Sequence, residues 1–204
     1  MMAGSSSGGR PPLVLALGGT VRPNSTSEKI LRLCAEQIKE LGADVAVIPG
    51  PGLVMPMYDP SNSTRCVSAI RMVELMRRAD AFIIASPGYH GSVSGLVKNA
   101  LDYTEDLRED ERPYFDGCKV GCIAVSNGWQ AAAATLGALR DIAHALRGWP
   151  TPIGIAANST ELEFEANGSC GNEALMRQVG IMAAQVVERP QYRRGKTLDL
   201  RVTA

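Results

Sequence analysis

The run Ala81-Phe82-Ile83-Ile84-Ala85, followed by Ser86-Pro87-Gly88-Tyr89-His90-Gly91-Ser92-Val93-Ser94-Gly95-Leu96-Val97-Lys98-Asn99-Ala100-Leu101-Asp102-Tyr103, decides how the rest of the chain reads. Ala81–Ala85 is continuously apolar, the pattern of a strand buried on both faces of a parallel sheet. Pro87 to Ser92, with two glycines, reads as a loop. Val93, Leu96, Val97, Ala100 and Leu101 then recur at the i, i+3, i+4, i+7, i+8 spacing of a packed helix. A loop that leaves the carboxyl end of a buried strand and feeds a helix is where open α/β sheets hold ligands.

On either side the same alternation repeats. Leu13–Leu17, Asp44–Ile48, Lys119–Val125 and the weaker Thr151–Ala156 read as strands. The intervening helical patterns put Ile30, Leu31, Cys34, Ile38 and Leu41 inward in the first helix. Ile70, Val73 and Met76 face inward in a helix from about 64 to 79. Leu136, Leu139, Ile142 and Leu146 do so between 130 and 147, and Leu175, Val179, Met182 and Val186 between 171 and 188. Ser25 and Glu28 have capping-box spacing, which starts the first helix there. Five strands alternating with helices specify an α/β doubly wound parallel sheet. The first turn, Gly18-Gly19-Thr20-Val21-Arg22-Pro23, lacks G-x-G-x-x-G, so a five-stranded flavodoxin-like order, 2-1-3-4-5, fits better than a dinucleotide-binding one. Its switch point brings Thr20–Ser27 and Pro87–Ser92 to one crevice.

Composition bounds the functional classes. With 204 residues, 45% hydrophobic, the chain suffices for one domain with a sizeable core, expected over residues 13–189. Residues 1–12 read as a flexible lead-in, and 190–204, with Arg193, Arg194 and Lys196, as a mobile tail rather than a binding arm. Twenty-one basic and 21 acidic residues leave no net charge and so no overall footprint for nucleic acid. No run reaches the ~20 apolar residues of a membrane span. Cys34, Cys66, Cys118, Cys122 and Cys170 form neither a CxxC pair nor a zinc-type cluster. Together with the lack of a signal-peptide core this points to a reducing cytoplasm, with no metal site. The alternating charges of 105–113 read as a solvated surface.

Three loops carry candidate chemistry. Thr20, Ser25 and Ser27 supply hydroxyls, Arg22 a guanidinium, and the first helix its free amides; together they fit a phosphate group, or equally a well-capped turn. Gly88 and Gly91 permit close approach of a flat ligand, beside Tyr89 and His90, although a structural turn explains the same residues. Ser126-Asn127-Gly128-Trp129 ends the fourth strand, with Trp129 either a lid over a ring or a core anchor, the anchor being favoured.

Gly19-Thr20-Val21-Arg22-Pro23-Asn24-Ser25 resembles the G-S-x-R-x-x-S phosphate loop of the NAD(P)H-dependent FMN reductases. Pro87-Gly88-Tyr89-His90-Gly91-Ser92, with Gly95-Leu96-Val97-Lys98-Asn99-Ala100-Leu101-Asp102, is similar to their P-x-Y-x-x-S and G-x-x-K-N-A-x-D segment. The resemblance spans Leu13 to Glu188. It implies noncovalent FMN, a homodimer or homotetramer, and hydride transfer from NADPH or NADH to flavin N5, with no catalytic side chain. By that resemblance Thr20, Arg22, Ser25 and Ser27 hold the phosphate. Pro87, Gly88, Tyr89, His90 and Ser92 flank the isoalloxazine, and Ser126, Asn127 and Gly128 cover its far side. The electron acceptor is then free flavin, a quinone, another small molecule or a partner monooxygenase. Thr20 stands where the family usually has Ser. The rival reading is a flavodoxin-like electron-transfer or FMN-binding module without pyridine-nucleotide activity.

Overall fold

The computed structural model describes residues 10–188, so most of the lead-in and all of the 190–204 tail lie outside the described residues. Within them the sheet runs β2-β1-β3-β5 and ends in two short pieces, β6 and β7, both parallel to β5. The strands are β1 (Leu13–Gly18), β2 (Asp44–Pro49), β3 (Ala81–Tyr89), β4 (Ser92–Val93), β5 (Lys119–Ser126), β6 (Trp149–Pro150) and β7 (Ile155–Asn158). The helices are α1 (Thr26–Glu40), α2 (Val67–Arg78), α3 (Gly95–Asp102), α4 (Trp129–Ala145) and α5 (Glu173–Val187). Counting β6 and β7 as one interrupted strand gives the expected doubly wound order.

The central strands β1, β3 and β5 are apolar along most of their length because both faces are covered. Val14, Ala16, Ile83 and Ala85 join Ile30, Leu31, Ile38, Val179 and Met182 of α1 and α5. Leu15, Leu17, Phe82 and Ile84 join Val73, Val97, Leu101 and Leu139 of α2, α3 and α4. The period of two along each strand thus sorts residues between two cores rather than between core and water.

Five local expectations are corrected. Leu41 does not face inward: α1 ends at Glu40, and Leu41, in the C-cap position, is exposed. β3 does not stop at Ala85: Pro87 still pairs with Val125, and the chain then folds back on itself, Gly88 opposite Val93 and Tyr89 opposite Ser92. The supposed loop is therefore a β3–β4 hairpin. α2 begins at Val67, because Thr64 N is held by Asn62 Oδ1 and Arg65 is tied to Asp106; its inward face is Ala69, Met72, Val73 and Met76, and Ile70 points to solvent. The fifth strand breaks at Thr151–Gly154, where Pro152 has no N–H and Ile153 N turns to Gln185 Oε1 at 2.9 Å. The charged stretch 105–113 is a clasp: Leu107 is buried, Asp106 pairs with Arg65 at 2.8 Å and Asp110 with Arg77 at 2.7 Å. Arg112 donates to the Met76 carbonyl, one of the unpaired last carbonyls of α2.

Candidate active site

At the carboxyl edge of the sheet, where β1 has β2 on one side and β3 on the other, the exits of β1, β3 and β5 enclose a cavity of about 500 Å³. This is the switch-point crevice expected from the strand order.

The first wall is the β1–α1 turn. Thr20 Oγ1 accepts from Arg22 N at 3.1 Å and donates to Arg22 O at 3.0 Å, so this hydroxyl closes the turn on itself. Arg22 is exposed at the cavity edge, with no ion pair among the described residues. Ser25 caps α1, its Oγ accepting from Glu28 N, and lies 3.3 Å from Ser27 Oγ. Glu28 completes the box one residue earlier than the usual pattern, accepting from Asn24 N at 3.1 Å. Asn24 is in the left-handed region at φ 57°. With Glu28 N and Lys29 N satisfied by Ser25, the Thr26 and Ser27 amides are the helix donors left for a ligand.

The second wall is the hairpin. Pro87, Gly88 and Tyr89 line the cavity, with Tyr89 half exposed at its mouth. His90 (φ 53°) and Gly91 (φ 80°) form the two-residue turn, both with the positive φ of a primed hairpin turn. The geometry that makes His90 a turn former also takes it away from the cavity. Ser92, exposed on β4, is not in the lining either. Of the five residues expected here, three are brought together and two are not.

Ser126, Asn127 and Gly128 form the third wall. Ser126 Oγ donates to Gly88 O at 3.2 Å, and Asn127 Oδ1 lies 2.6 Å from Ser159 Oγ. Trp129 is neither lid nor core anchor: it is 54% exposed, outside the cavity lining, and its Nε1 donates to Glu161 Oε1 at 2.8 Å. Thr26, Val125, Ala131 and Ser159 also line the cavity and were not expected from the sequence. Thr26 follows directly from a helix capped at Ser25. Ser159 follows β7, and the misplaced end of that strand hid it.

Among the described residues the lining carries no carboxylate and no imidazole. It offers one free cation, two open helix amides, and a slot bounded by the backbone of Gly88 and Gly128. That donor set suits a flat ligand carrying an anionic tail.

The family described as NADPH-dependent FMN reductase matches residues 12–161, which takes in all three walls. The chain belongs to that family. It is an NAD(P)H-dependent oxidoreductase that uses FMN. The FMN-dependent NADPH-azoreductase of Staphylococcus aureus (strain USA300) is 29% identical over 160 residues, 76% of this chain and 81% of the relative. Among solved structures, the fold is similar to FerB, the flavoenzyme NAD(P)H:(acceptor) oxidoreductase of Paracoccus denitrificans, with TM-score 0.69 and 18% identity over 86% of this chain and 97% of that one. It is also similar to the apo form of the NADH:FMN oxidoreductase EmoB, with TM-score 0.63 and 20% identity over 88% and 92%. In this FMN reductase, Thr20 keeps the turn that the usual Ser would close, because its hydroxyl already serves as both donor and acceptor within the loop.

Proposed function

We propose that the crevice binds FMN with its phosphate against Arg22, Ser25, Ser27 and the amides of Thr26 and Ser27. The isoalloxazine lies between Pro87-Gly88-Tyr89 and Ser126-Asn127-Gly128, and the electrons go to a small planar acceptor of the azo or quinone class. The observation that carries this is the polarity of one cavity: cation and helix donors line it on one side, and the backbone of Gly88 and Gly128 on another. When bound, FMN supplies the hydride chemistry, taking reducing equivalents from NAD(P)H and passing them on.

The chain's own residues bind and orient. Arg22 gives a charge-assisted contact and α1 the positive end of its dipole. Gly128, where a β-carbon would meet nothing within 4 Å, lets the main chain come close to a ring, Gly88 lets the hairpin close on α4, and oriented backbone dipoles there favour a reduced, more electron-rich ring. The name of the azoreductase relative supports the acceptor class. The half-exposed Tyr89 leaves a mouth through which nicotinamide and acceptor enter in turn.

We assign this unit to residues 13–189, and to the cytoplasm, a reading supported by five cysteines without a pairing pattern; no helix among the described residues is long and apolar enough to cross a membrane. A homodimer or homotetramer is supported by Val67 and Ile70, one turn apart and exposed on α2.

Anaerobic mixing tests the function. The FMN-loaded protein bleaches on addition of NADPH or NADH and recovers its colour on addition of an azo dye or quinone. Flavin that stays oxidised with both nucleotides contradicts the proposal.

A further inference from the structure

The β3–β4 hairpin is only two residue pairs long, Gly88–Val93 and Tyr89–Ser92, too short a ladder to hold its own shape. Three buried hydroxyls on three different elements fasten it. Ser86 Oγ, on β3, accepts from Ser94 N at 2.9 Å. Ser126 Oγ, on β5, donates to Gly88 O at 3.2 Å. Thr135 Oγ1, on α4, donates to Ser92 O at 3.3 Å. Thr135 is wholly buried in the second turn of a helix whose other buried residues, Ala132, Leu139 and Ala143, are apolar, and neither the capping of α4 nor the apolar core requires a hydroxyl at this position.

The fit at this point is tight. A β-carbon on Gly88 would lie 2.1 Å from Ser126 Oγ and 2.5 Å from Thr135 Oγ1. The hairpin therefore sits flush on α4, and the distance from Gly88 to the α4 side of the crevice, where Gly128 and Ala131 line the cavity, is set by these two hydroxyls.

We propose that Thr135 is a positioning residue for the flavin slot, acting through the Ser92 carbonyl to fix the pitch of the hairpin and so the width of the space between Gly88-Tyr89 and Asn127-Gly128. This rests on the reading of the crevice as the FMN site. Without the hydroxyl, Ser92 O loses the bond that ties it to α4, keeping only its place in the ladder opposite Tyr89, and the hairpin relaxes away from α4. A ring in the slot then meets a different wall, although Thr135 itself never touches it.

The experiment compares wild type, Thr135→Val and Thr135→Ser by FMN titration, by the absorption spectrum of bound flavin, by steady-state NAD(P)H oxidation, and by thermal unfolding. Valine matches threonine in shape and puts a methyl group in place of the hydroxyl; serine keeps the hydroxyl. Thr135→Val is expected to bind FMN about fivefold more weakly, the scale of one hydrogen bond, with a shifted flavin spectrum and a raised KM for NAD(P)H, and Thr135→Ser to restore all three. If the valine variant does not fold, Thr135→Ala, a better helix former with no bulk to strain the interface, is read in the same way. A lowered melting temperature with wild-type FMN affinity and spectrum would overturn the proposal while leaving the FMN site standing. A wild type that binds no flavin would overturn both.

Discussion

A β-carbon on Gly50 would stand 1.9 Å from the carbonyl oxygen of Thr20. Gly50 opens the short turn that follows β2 and is itself buried, so the β1–α1 loop rests directly on the backbone leaving the neighbouring strand. Backbone cannot swing aside as a flexible side chain would. Gly50→Ala is therefore expected to displace Thr20 and the loop that carries Arg22, weakening FMN binding tenfold or more, about 1.4 kcal/mol, as read by quenching of flavin fluorescence.

Glu28 holds the same loop from the other side. Its buried carboxylate takes the Asn24 amide on one oxygen and Arg32, at 2.7 Å, on the other. Glu28→Ala leaves that amide without its acceptor at a position already in the left-handed region, and should lower the unfolding free energy by about 1–3 kcal/mol. Urea denaturation of the apoprotein measures this free of any effect on the ligand.

How much of this was legible in the sequence follows from the range of the interactions. The sheet order was, since each strand announces itself in its own apolar run and the first turn excludes the competing arrangement. The extension of β3 through Tyr89 was not: Ser86-Pro87-Gly88 breaks the apolar run, and only the partner strand β5 keeps Pro87 in register. Ile70 was misassigned because Ile70, Val73 and Met76 follow an i, i+3, i+6 spacing that, at 3.6 residues per turn, leaves Ile70 at the edge of the face shared by Ala69, Met72, Val73 and Met76. Arg22, Ser25 and Ser27 could be placed in the crevice because capping rules are local. Gly50, Thr135 and Ser159 matter only through what lies opposite them, which no local pattern encodes.

Asn99 shows the same limit. Its helical spacing put it off the apolar face, yet it is buried, accepting from Tyr58 N at 2.8 Å and donating to Pro56 O at 3.0 Å. It is thus the pin that fixes the β2–α2 connection to α3, beside Tyr103, whose hydroxyl also reaches Pro56 O. Asn99→Leu leaves the Tyr58 amide unpaired and removes one donor from Pro56 O, at about 1–3 kcal/mol for each buried group left unpaired. The expected result is a markedly lower melting temperature, and proteolysis first within residues 54–66.

Burial of two thiols bears on stability at alkaline pH. Burial pushes the Cys122 thiol up to about 12 against a smaller opposing pull from Arg140, and raises that of Cys34 as well. Both folded-state values stand above the ordinary thiol value of about 8.5. Their contribution is complete below that value and is lost as pH rises toward the folded one. Unfolding free energy should fall above about pH 9, and Cys34→Ala with Cys122→Ala should flatten that decline while lowering stability at neutral pH through the volume removed.

The orientation of FMN, phosphate on α1 and ring in the hairpin slot, is tested most directly by titrating wild type and Arg22→Ala with FMN and with riboflavin, which lacks the phosphate. Wild type should prefer FMN strongly, and Arg22→Ala should lose roughly 1.5 to 3 kcal/mol of FMN affinity, the worth of one charge-assisted contact, while its riboflavin affinity stays put. Equal binding of FMN and riboflavin by the wild type, or an FMN titration untouched by the loss of Arg22, would contradict the account.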